Sequence, residues 1–272
     1  MSGALVVCPT PIGNLGDVTL RALDELRAAA VIACEDTRRT LTLLDRHGIV
    51  TPRVSLTEHN EAARIPALLA RVREGERVVL VSDAGTPTVS DPGARLVGAA
   101  VEAGLPVEVL PGASAVTTAA AASGLARDGF AFCGFLPRTA AGIAALLDRV
   151  DAAGLAVVAF ESPRRLPATL RALAERDPVR RAAVCRELTK LHEEVRRGTL
   201  AELCDHYGSP PKGEVTLVLA PGAVDGGRAV PADDALRELA EALGSRRAAS
   251  LAARLTGLPR NRLYSAITRA RR

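Results

Sequence analysis

Short apolar runs that end in loops of Gly, Pro and small polar residues recur along the first half of the chain. Ala4–Cys8, Val31–Cys34, Arg53–Leu56, Arg77–Val81 and Val107–Leu110 read as strands, and Arg77–Val81, rich in β-branched residues, has the length of a buried parallel strand. Between them lie helical patterns. Asp17 caps a helix through Ala29 with Leu20, Leu23 and Leu26 on one face. Thr40–Arg46, Asn60–Val72 and Ala94–Ala103 follow, and a small-residue helix runs from Pro111-Gly112-Ala113-Ser114-Ala115 to Ser123. This alternation predicts a mainly parallel sheet with helices on both faces.

Near Phe135-Leu136-Pro137 the pattern restarts. Ala140–Val150 reads as a helix and Leu155–Phe160 as a strand. Ser162-Pro163 reads as an N-cap with Pro at the first helical position. Arg181–Arg186, Val195–Gly198 and Val215–Leu219 read as strands and Leu200–Tyr207 as a helix, which predicts a second α/β domain with antiparallel pairs. Ala220–Val230 is a Gly- and Pro-rich linker. Beyond it Asp233–Leu243, Arg246–Leu255 and Asn261–Arg271 are helical, with Thr256-Gly257-Leu258-Pro259 as a turn of helix-turn-helix kind. The expected division is therefore an α/β domain over 1–134, a second over 135–222, and a basic helical tail over 232–272.

The stretch Val81-Ser82-Asp83-Ala84-Gly85-Thr86-Pro87-Thr88-Val89-Ser90-Asp91-Pro92-Gly93 sits at the carboxyl end of a strand, where open α/β sheets hold ligands. Its glycines allow close approach of another molecule and its prolines stiffen it. Asp91-Pro92 also reads as a helix start, so an ordinary βα turn accounts for much of the same composition. Two further loops, after the first and fifth strands, share the chemistry, and the three together could wall one crevice. The first, Pro9-Thr10-Pro11-Ile12-Gly13-Asn14, lacks the Gly-x-Gly-x-x-Gly of a dinucleotide fingerprint, which argues against NAD and FAD.

Composition narrows the picture in three places. Aromatic residues make up 2% of the 272 residues, with no Trp, which disfavours base-stacking platforms. No apolar run has the length of a membrane span, and the expected location is cytoplasmic. The five cysteines are all more than four residues apart, which excludes zinc-type spacing, so no metal is expected and they read as buried thiols. The net charge of +4 is uneven: Ser245–Arg272 holds eight arginines and no acid, which suggests a polyanionic partner or a solvated tail. Lysine occurs only at Lys190 and Lys212.

Four motifs in order, Cys8-Pro9-Thr10-Pro11-Ile12-Gly13-Asn14-Leu15, Cys34-Glu35-Asp36-Thr37-Arg38, Val81–Pro87 with Asp91-Pro92-Gly93, and Gly134-Phe135-Leu136-Pro137, resemble the tetrapyrrole-methylase class of S-adenosylmethionine enzymes. Glu187-Leu188-Thr189-Lys190 and Lys212-Gly213-Glu214 continue the match through about Leu219. Within that class the chain is similar to the bacterial methyltransferases of the small ribosomal subunit. The resemblance implies two α/β domains with the cofactor, S-adenosyl-L-methionine, in the cleft between them, and a homodimer. It implies methyl transfer to the ribose 2′-hydroxyl of a cytidine in 16S rRNA of the 30S subunit, cytidine 1402.

On this reading Pro11, Asp83, Ala84, Gly85, Thr86, Pro87, Ser114 and Ala115 wall the cofactor site, and Glu161, Lys212, Gly213 and Glu214 close it from the second domain. Glu35, Asp36, Arg38 and Lys190 serve the RNA side as catalytic candidates, with His59 and Glu187 as further proton acceptors. Glu35-Asp36 could equally cap the helix that follows, and Lys190 could contact phosphate. Two other readings compete: a methylase of a tetrapyrrole or corrin precursor, and a nucleotide-sensing nucleic-acid-binding regulator. The basic tail argues against the first, and the Glu35–Arg38 and Glu187–Lys190 motifs are unexplained by the second.

Overall fold

The computed structural model describes residues 3–222, 239–256 and 260–270. Residues Met1–Gly222 form one compact unit and Ala223–Arg272 another.

The first unit opens with β1 (Ala4–Val7), α1 (Leu20–Ala28), β2 (Val31–Cys34), α2 (Thr37–Arg46), β3 (Arg53–Ser55), α3 (Glu61–Arg73), β4 (Arg77–Leu80), α4 (Ala94–Glu102), β5 (Val107–Val109) and α5 (Ala115–Ser123). The five strands form one sheet in the order β3-β2-β4-β1-β5, all parallel. Alternation sorts the side chains. Val6, Cys8, Ile32, Cys34 and Val79 face α1 and α2, meeting Leu26, Leu43 and Leu44. Leu5, Val7, Ala33, Val78 and Leu80 face α3 and α4, meeting Leu68, Leu69, Val72 and Leu96. The expected sheet with helices on both faces is present. Because β2, β4, β1 and β5 are neighbours in that order, the loops that follow them lie side by side at one edge.

The second sheet comprises β6 (Phe130–Phe135), β7 (Ala156–Glu161), β8 (Arg181–Arg186), β9 (Glu194–Thr199) and β10 (Val215–Leu219), in the order β6-β7-β10-β8-β9. Only β6 and β7 are parallel; the other three pairs are antiparallel. Helices α6 (Ala140–Ala152), α7 (Leu166–Arg176) and α8 (Leu200–His206) cover one face through Ile143, Leu147, Leu166, Leu170 and Leu203. The other face packs on α5, where Val116, Ala119 and Ala120 meet Val158, Ala183, Cys185 and Val218. So α5, which leaves the first sheet, is the floor on which the second sheet sits.

Several sequence expectations need correction. Asp17 does not cap α1: it ends a 3-10 turn over Leu15–Asp17, and Thr19 caps instead, its hydroxyl accepting from the Ala22 amide at 3.1 Å. Asp91 does not cap α4. Gly93 holds that position at φ +114, and the buried carboxylate of Glu61 accepts the amides of Gly93 and Leu96, each at 3.1 Å. Ser162-Pro163 does not start α7; it lies in a turn, and α7 begins at Leu166. The cause is the fully buried Glu161 carboxylate, which accepts the Ser162 amide at 2.7 Å and pairs with Arg165 at 3.3 Å. Edge strand β6 is an element the apolar pattern did not announce.

The second unit contains α9 (Ser245–Thr256) and α10 (Arg260–Ala270). Ala240, Ala248, Ala249, Ala252, Leu263 and Ile267 form its core. The expected turn at 257–259, the start of the helix from Asp233 and most of the linker lie outside the described residues. Among the described residues no helix is long and apolar enough to cross a membrane.

Candidate active site

The loops after β1 and β4 are locked together. Thr10 and Gly85 exchange backbone hydrogen bonds, each amide to the other's carbonyl at 2.9 Å. The Thr10 hydroxyl also donates to the Ser82 carbonyl at 3.0 Å, and Thr86 donates to the Ala113 carbonyl at 3.1 Å, which ties in the loop after β5. The loop 83–93 departs from ordinary backbone geometry: Thr88 and Ser90 sit at φ +74 and +64 alongside Gly85 at +80. Non-glycine residues in this region cost energy and persist only where surroundings over-determine them, a pattern found at ligand clamps.

Between these loops and the second sheet lies a cleft of about 520 Å³. The first sheet contributes Ile12, Glu35, Arg39, Asp83–Thr86, Val89, Ser90, Asp91, Ser114, Ala115 and Val116; the second contributes Phe135, Phe160, Glu161–Pro163 and Glu214–Thr216. Aliphatic side chains and the edge-packed rings of Phe135 and Phe160, 5.7 Å apart, make an apolar wall. Five carboxylates and one arginine give the remainder a negative balance.

The carboxylates differ. Asp83 is fully engaged: it accepts the Asp36 amide at 2.9 Å and pairs with Arg39 at 3.4 Å. Both oxygens of Glu161 are consumed inside the protein, one by the Thr169 hydroxyl at 2.7 Å. Asp91 is different: burial first, then the charge of Glu35, pushes its pKa up to about 6. Glu35 is also raised, by burial and then by Asp83, with Arg39 opposing. The cleft thus holds two carboxyl groups whose pKa values are both raised above the ordinary carboxylate range, Asp91 to about 6.

At its edge stands a second network. Lys190 donates to Glu187 at 2.8 Å and to Glu214 at 2.9 Å. Burial pulls the ammonium's pKa down, but the hydrogen bonds to Glu187 and Glu214 outweigh this and hold it above its ordinary value. Lys190 is therefore a charged donor and not a proton acceptor. Glu187, at φ +51, also accepts the Glu214 amide at 2.8 Å. A Cβ on Gly213 would lie 2.4 Å from the Glu187 side chain, so that glycine is required for the close approach.

Of the residues the sequence singled out, Glu35, Asp83, Ala84, Gly85, Thr86, Ser114, Ala115, Glu161 and Glu214 line the cleft. Pro11 and Pro87 belong to its loops but not to its lining, and the Lys212 side chain is exposed, its carbonyl accepting from Arg186 at 3.2 Å. Asp36 and Arg38 are engaged with each other: Asp36 caps α2 through the Arg38 amide at 2.8 Å and pairs with its guanidinium at 3.1 Å. His59 is exposed and stands outside the cleft's lining. Asp91, which the sequence offered both as a polar group of the ligand loop and as a helix cap, lines the cleft and does not cap α4. Sequence reasoning missed Phe135, Phe160 and Thr216, whose strands gave no sign of which face meets the first sheet.

Comparison with known proteins identifies the family of the chain. Residues 4–204 match the family model of tetrapyrrole (corrin/porphyrin) methylases, and residues 227–270 match the RsmI C-terminal HTH domain. A ribosomal RNA small subunit methyltransferase I of Mesorhizobium japonicum is 46% identical, over 96% of this chain and 90% of that one. Its namesake from Thermotoga maritima is 44% identical over 80% of this chain and 98% of its own. Among solved structures, uroporphyrin-III-C-methyltransferase from Thermus thermophilus aligns with a TM-score of 0.55 at 25% identity, covering 80% of this chain and 94% of that one. A diphthine synthase aligns at 0.63 with 18% identity, over 80% of this chain and 90% of its own, a likeness of fold alone.

Proposed function

Since the chain belongs to the tetrapyrrole methylase family, and within it to the ribosomal RNA small subunit methyltransferase I enzymes, we propose that it methylates the ribose 2′-hydroxyl of one cytidine, cytidine 1402 of 16S rRNA. On this reading S-adenosyl-L-methionine is the donor, the substrate is the 30S subunit, and the working form is a homodimer in the cytoplasm. The domains at 1–134 and 135–222 would bracket the donor and the 232–272 tail would hold RNA.

The observation that carries it is the cleft's negative balance beside an apolar wall. A sulfonium cation attached to an adenosyl group is complementary to both features. Gly85, Thr86, Ser114 and Ala115 would hold it from the first sheet and Glu161–Pro163 and Glu214 from the second. Bound there, S-adenosylmethionine supplies an electrophilic methyl group. The protein's share is positioning and proton management. Asp91 or Glu35 accepts the hydroxyl proton as the ribose oxygen gains its methyl. Lys190, held between Glu187 and Glu214, donates to the ribose oxygen or an adjacent phosphate oxygen. Arg39, steadied by Asp83, stands at the mouth where an anionic substrate enters.

The test is transfer of tritiated methyl to 30S subunits, naked 16S rRNA and tetrapyrrole precursors in parallel, with the modified nucleotide mapped. Label on a ribose oxygen of the subunit's RNA is expected. Label on a tetrapyrrole, or on a base, would overturn the reading.

A further inference from the structure

A second groove, of about 950 Å³ and open to solvent, lies beside the first cleft. One wall is the loop Gly13–Gly16, another is Thr189–Leu191, and the third is the end of α2 at Arg46 and His47. We propose that this groove receives a nucleotide flanking the one being methylated, a few positions along the strand, so that single-stranded RNA runs along α2 from one site to the other. The inference rests on the RNA-methylating reading above and adds to it where the strand lies.

Four observations carry it. First, the two sites share an ion pair. Lys190 lines the second groove, Glu214 lines the first, and their charged atoms are 2.9 Å apart. A strand in one groove is therefore adjacent to the other.

Second, α2 connects them with arginines at both ends. Arg39 lines the first cleft and Arg46 the second groove. Seven residues of helix span about 10 Å, the rise of about three stacked nucleotides. Arg39 is steadied by Asp83, whereas exposed Arg46 makes no ion pair among the described residues. With Lys190 balanced by two carboxylates, Arg46 is the groove's uncompensated cation and the natural phosphate partner.

Third, the far wall carries an apolar side chain in water. Leu191 is 93% exposed in a protein that has few aromatic residues. Its loop is not slack: the Thr189 amide donates to Glu193 at 2.6 Å, the Glu193 amide to the Lys190 carbonyl at 3.1 Å, and the Asn14 amide to the Thr189 hydroxyl at 3.0 Å. A rigidly presented leucine that shares a groove with a cation suits a nucleotide, whose base is flat and apolar on its face and whose phosphate is anionic. Fourth, this loop, like the loop 83–93, holds non-glycine residues at positive φ, Glu187 at +51 and Thr189 at +66.

The experiment uses the full-length protein with 30S subunits. Arg46→Glu, Arg46→Ala and Leu191→Ser are compared with wild type for KM and kcat of methyl transfer, salt dependence of subunit binding, S-adenosylmethionine affinity, thermal melting and solution mass. Expected for each variant is a KM raised about tenfold, as removal of one charge-assisted or apolar interaction would give. The kcat, cofactor affinity, melting temperature and methylated nucleotide should stay as in wild type. Arg46→Ala should also flatten the salt slope by about 0.7, the single-strand value per phosphate. Unchanged KM and salt slope in folded variants, with wild type active on 30S subunits, would overturn the groove assignment alone. A changed solution mass would make the groove an interface between copies and overturn it as well. Wild-type inactivity on ribosomal RNA would instead remove the underlying reading.

Discussion

Thr10 and Gly85 hold each other by two backbone hydrogen bonds of 2.9 Å, a one-rung antiparallel bridge between loops of adjacent parallel strands. The bridge fixes where the 83–93 loop crosses the first one. It requires Gly85 at φ +80, and a Cβ there would lie 3.3 Å from Ile12 and 3.7 Å from the Ala113 carbonyl.

Gly85→Val should therefore abolish S-adenosylmethionine binding by displacing the loop. Left-handed backbone costs an ordinary residue roughly 1–2 kcal/mol and a β-branched one more. Isothermal titration should show no heat from the variant while circular dichroism shows a folded protein. Normal binding by Gly85→Val would mean that this loop is not the cradle.

Asp91 should give the enzyme its pH dependence. Its pKa is pushed up to about 6 in the fold, above the ordinary 3.8. A cationic ligand favours the ionised carboxylate, so cofactor affinity should rise with pH between about 5 and 7 and be flat above. In Asp91→Asn that rise should shrink. Stability runs the other way. A raised carboxyl pKa means the folded state binds the proton more tightly, so ionisation weakens the fold as pH rises from about 4 through 6. Asp91→Asn should melt higher than wild type at pH 8 and equally at pH 3.5. Identical pH profiles in both proteins would remove Asp91 from this role.

Much of this was legible in the chain, and the gaps have physical causes. Periodicity located β1 and β4 because a buried parallel strand is apolar on both faces, and the loops after them, like the loop after the edge strand β5, carry Gly and Pro that few other environments require. The 3.6-residue pattern likewise placed α1, though not its cap. What stayed hidden was non-local. Nothing near Asp91 says that Glu61, some 30 residues earlier, already caps α4 and leaves Asp91 facing the cleft. Glu161 lines the cleft as the sequence suggested, but nothing local says that the Thr169 hydroxyl and the Ser162 amide hold its carboxylate. Strand β6 was missed because Cys133-Gly134 interrupts its pattern, and its pairing with β7 shifts register there.

Lys190 should prove a donor. Its ammonium is fixed by Glu187 and Glu214, and its pKa is held above the ordinary value. Lys190→Ala should lower kcat about 100-fold, the usual cost of losing one preorganised donor, with cofactor affinity nearly unchanged. Because the group works charged, the pH profile of the residual activity should keep its inflexion near 6. Loss of that inflexion in Lys190→Ala would make the lysine the titrating base. Glu35→Ala should also keep cofactor binding while losing transfer. Asp36→Ala and Arg38→Ala share one cap, so they should show similar, smaller losses.

The tail offers a separable test. Ser245–Arg272 carries eight arginines and no acidic residue, and the helices there are held by their own small core of Ala248, Ala252, Leu263 and Ile267 together with Ala240. Cutting after Gly244 would leave Ala240 without that core, so the cleaner truncation is after Gly222, where the compact first unit ends. The shortened protein should bind S-adenosylmethionine as before, since every residue of the cleft precedes Gly222. Its affinity for 30S subunits should fall, and the slope of log K against log salt should flatten by about 0.7–0.9 for each phosphate the tail no longer neutralises. The methylated nucleotide should not change, because phosphate binding positions a protein on RNA without reading sequence. Equal affinity and slope in the two proteins would make the arginines a solvated surface or an interface between copies. Methylation at another nucleotide would mean that the tail reads the RNA, and the choice of cytidine would then lie outside the cleft.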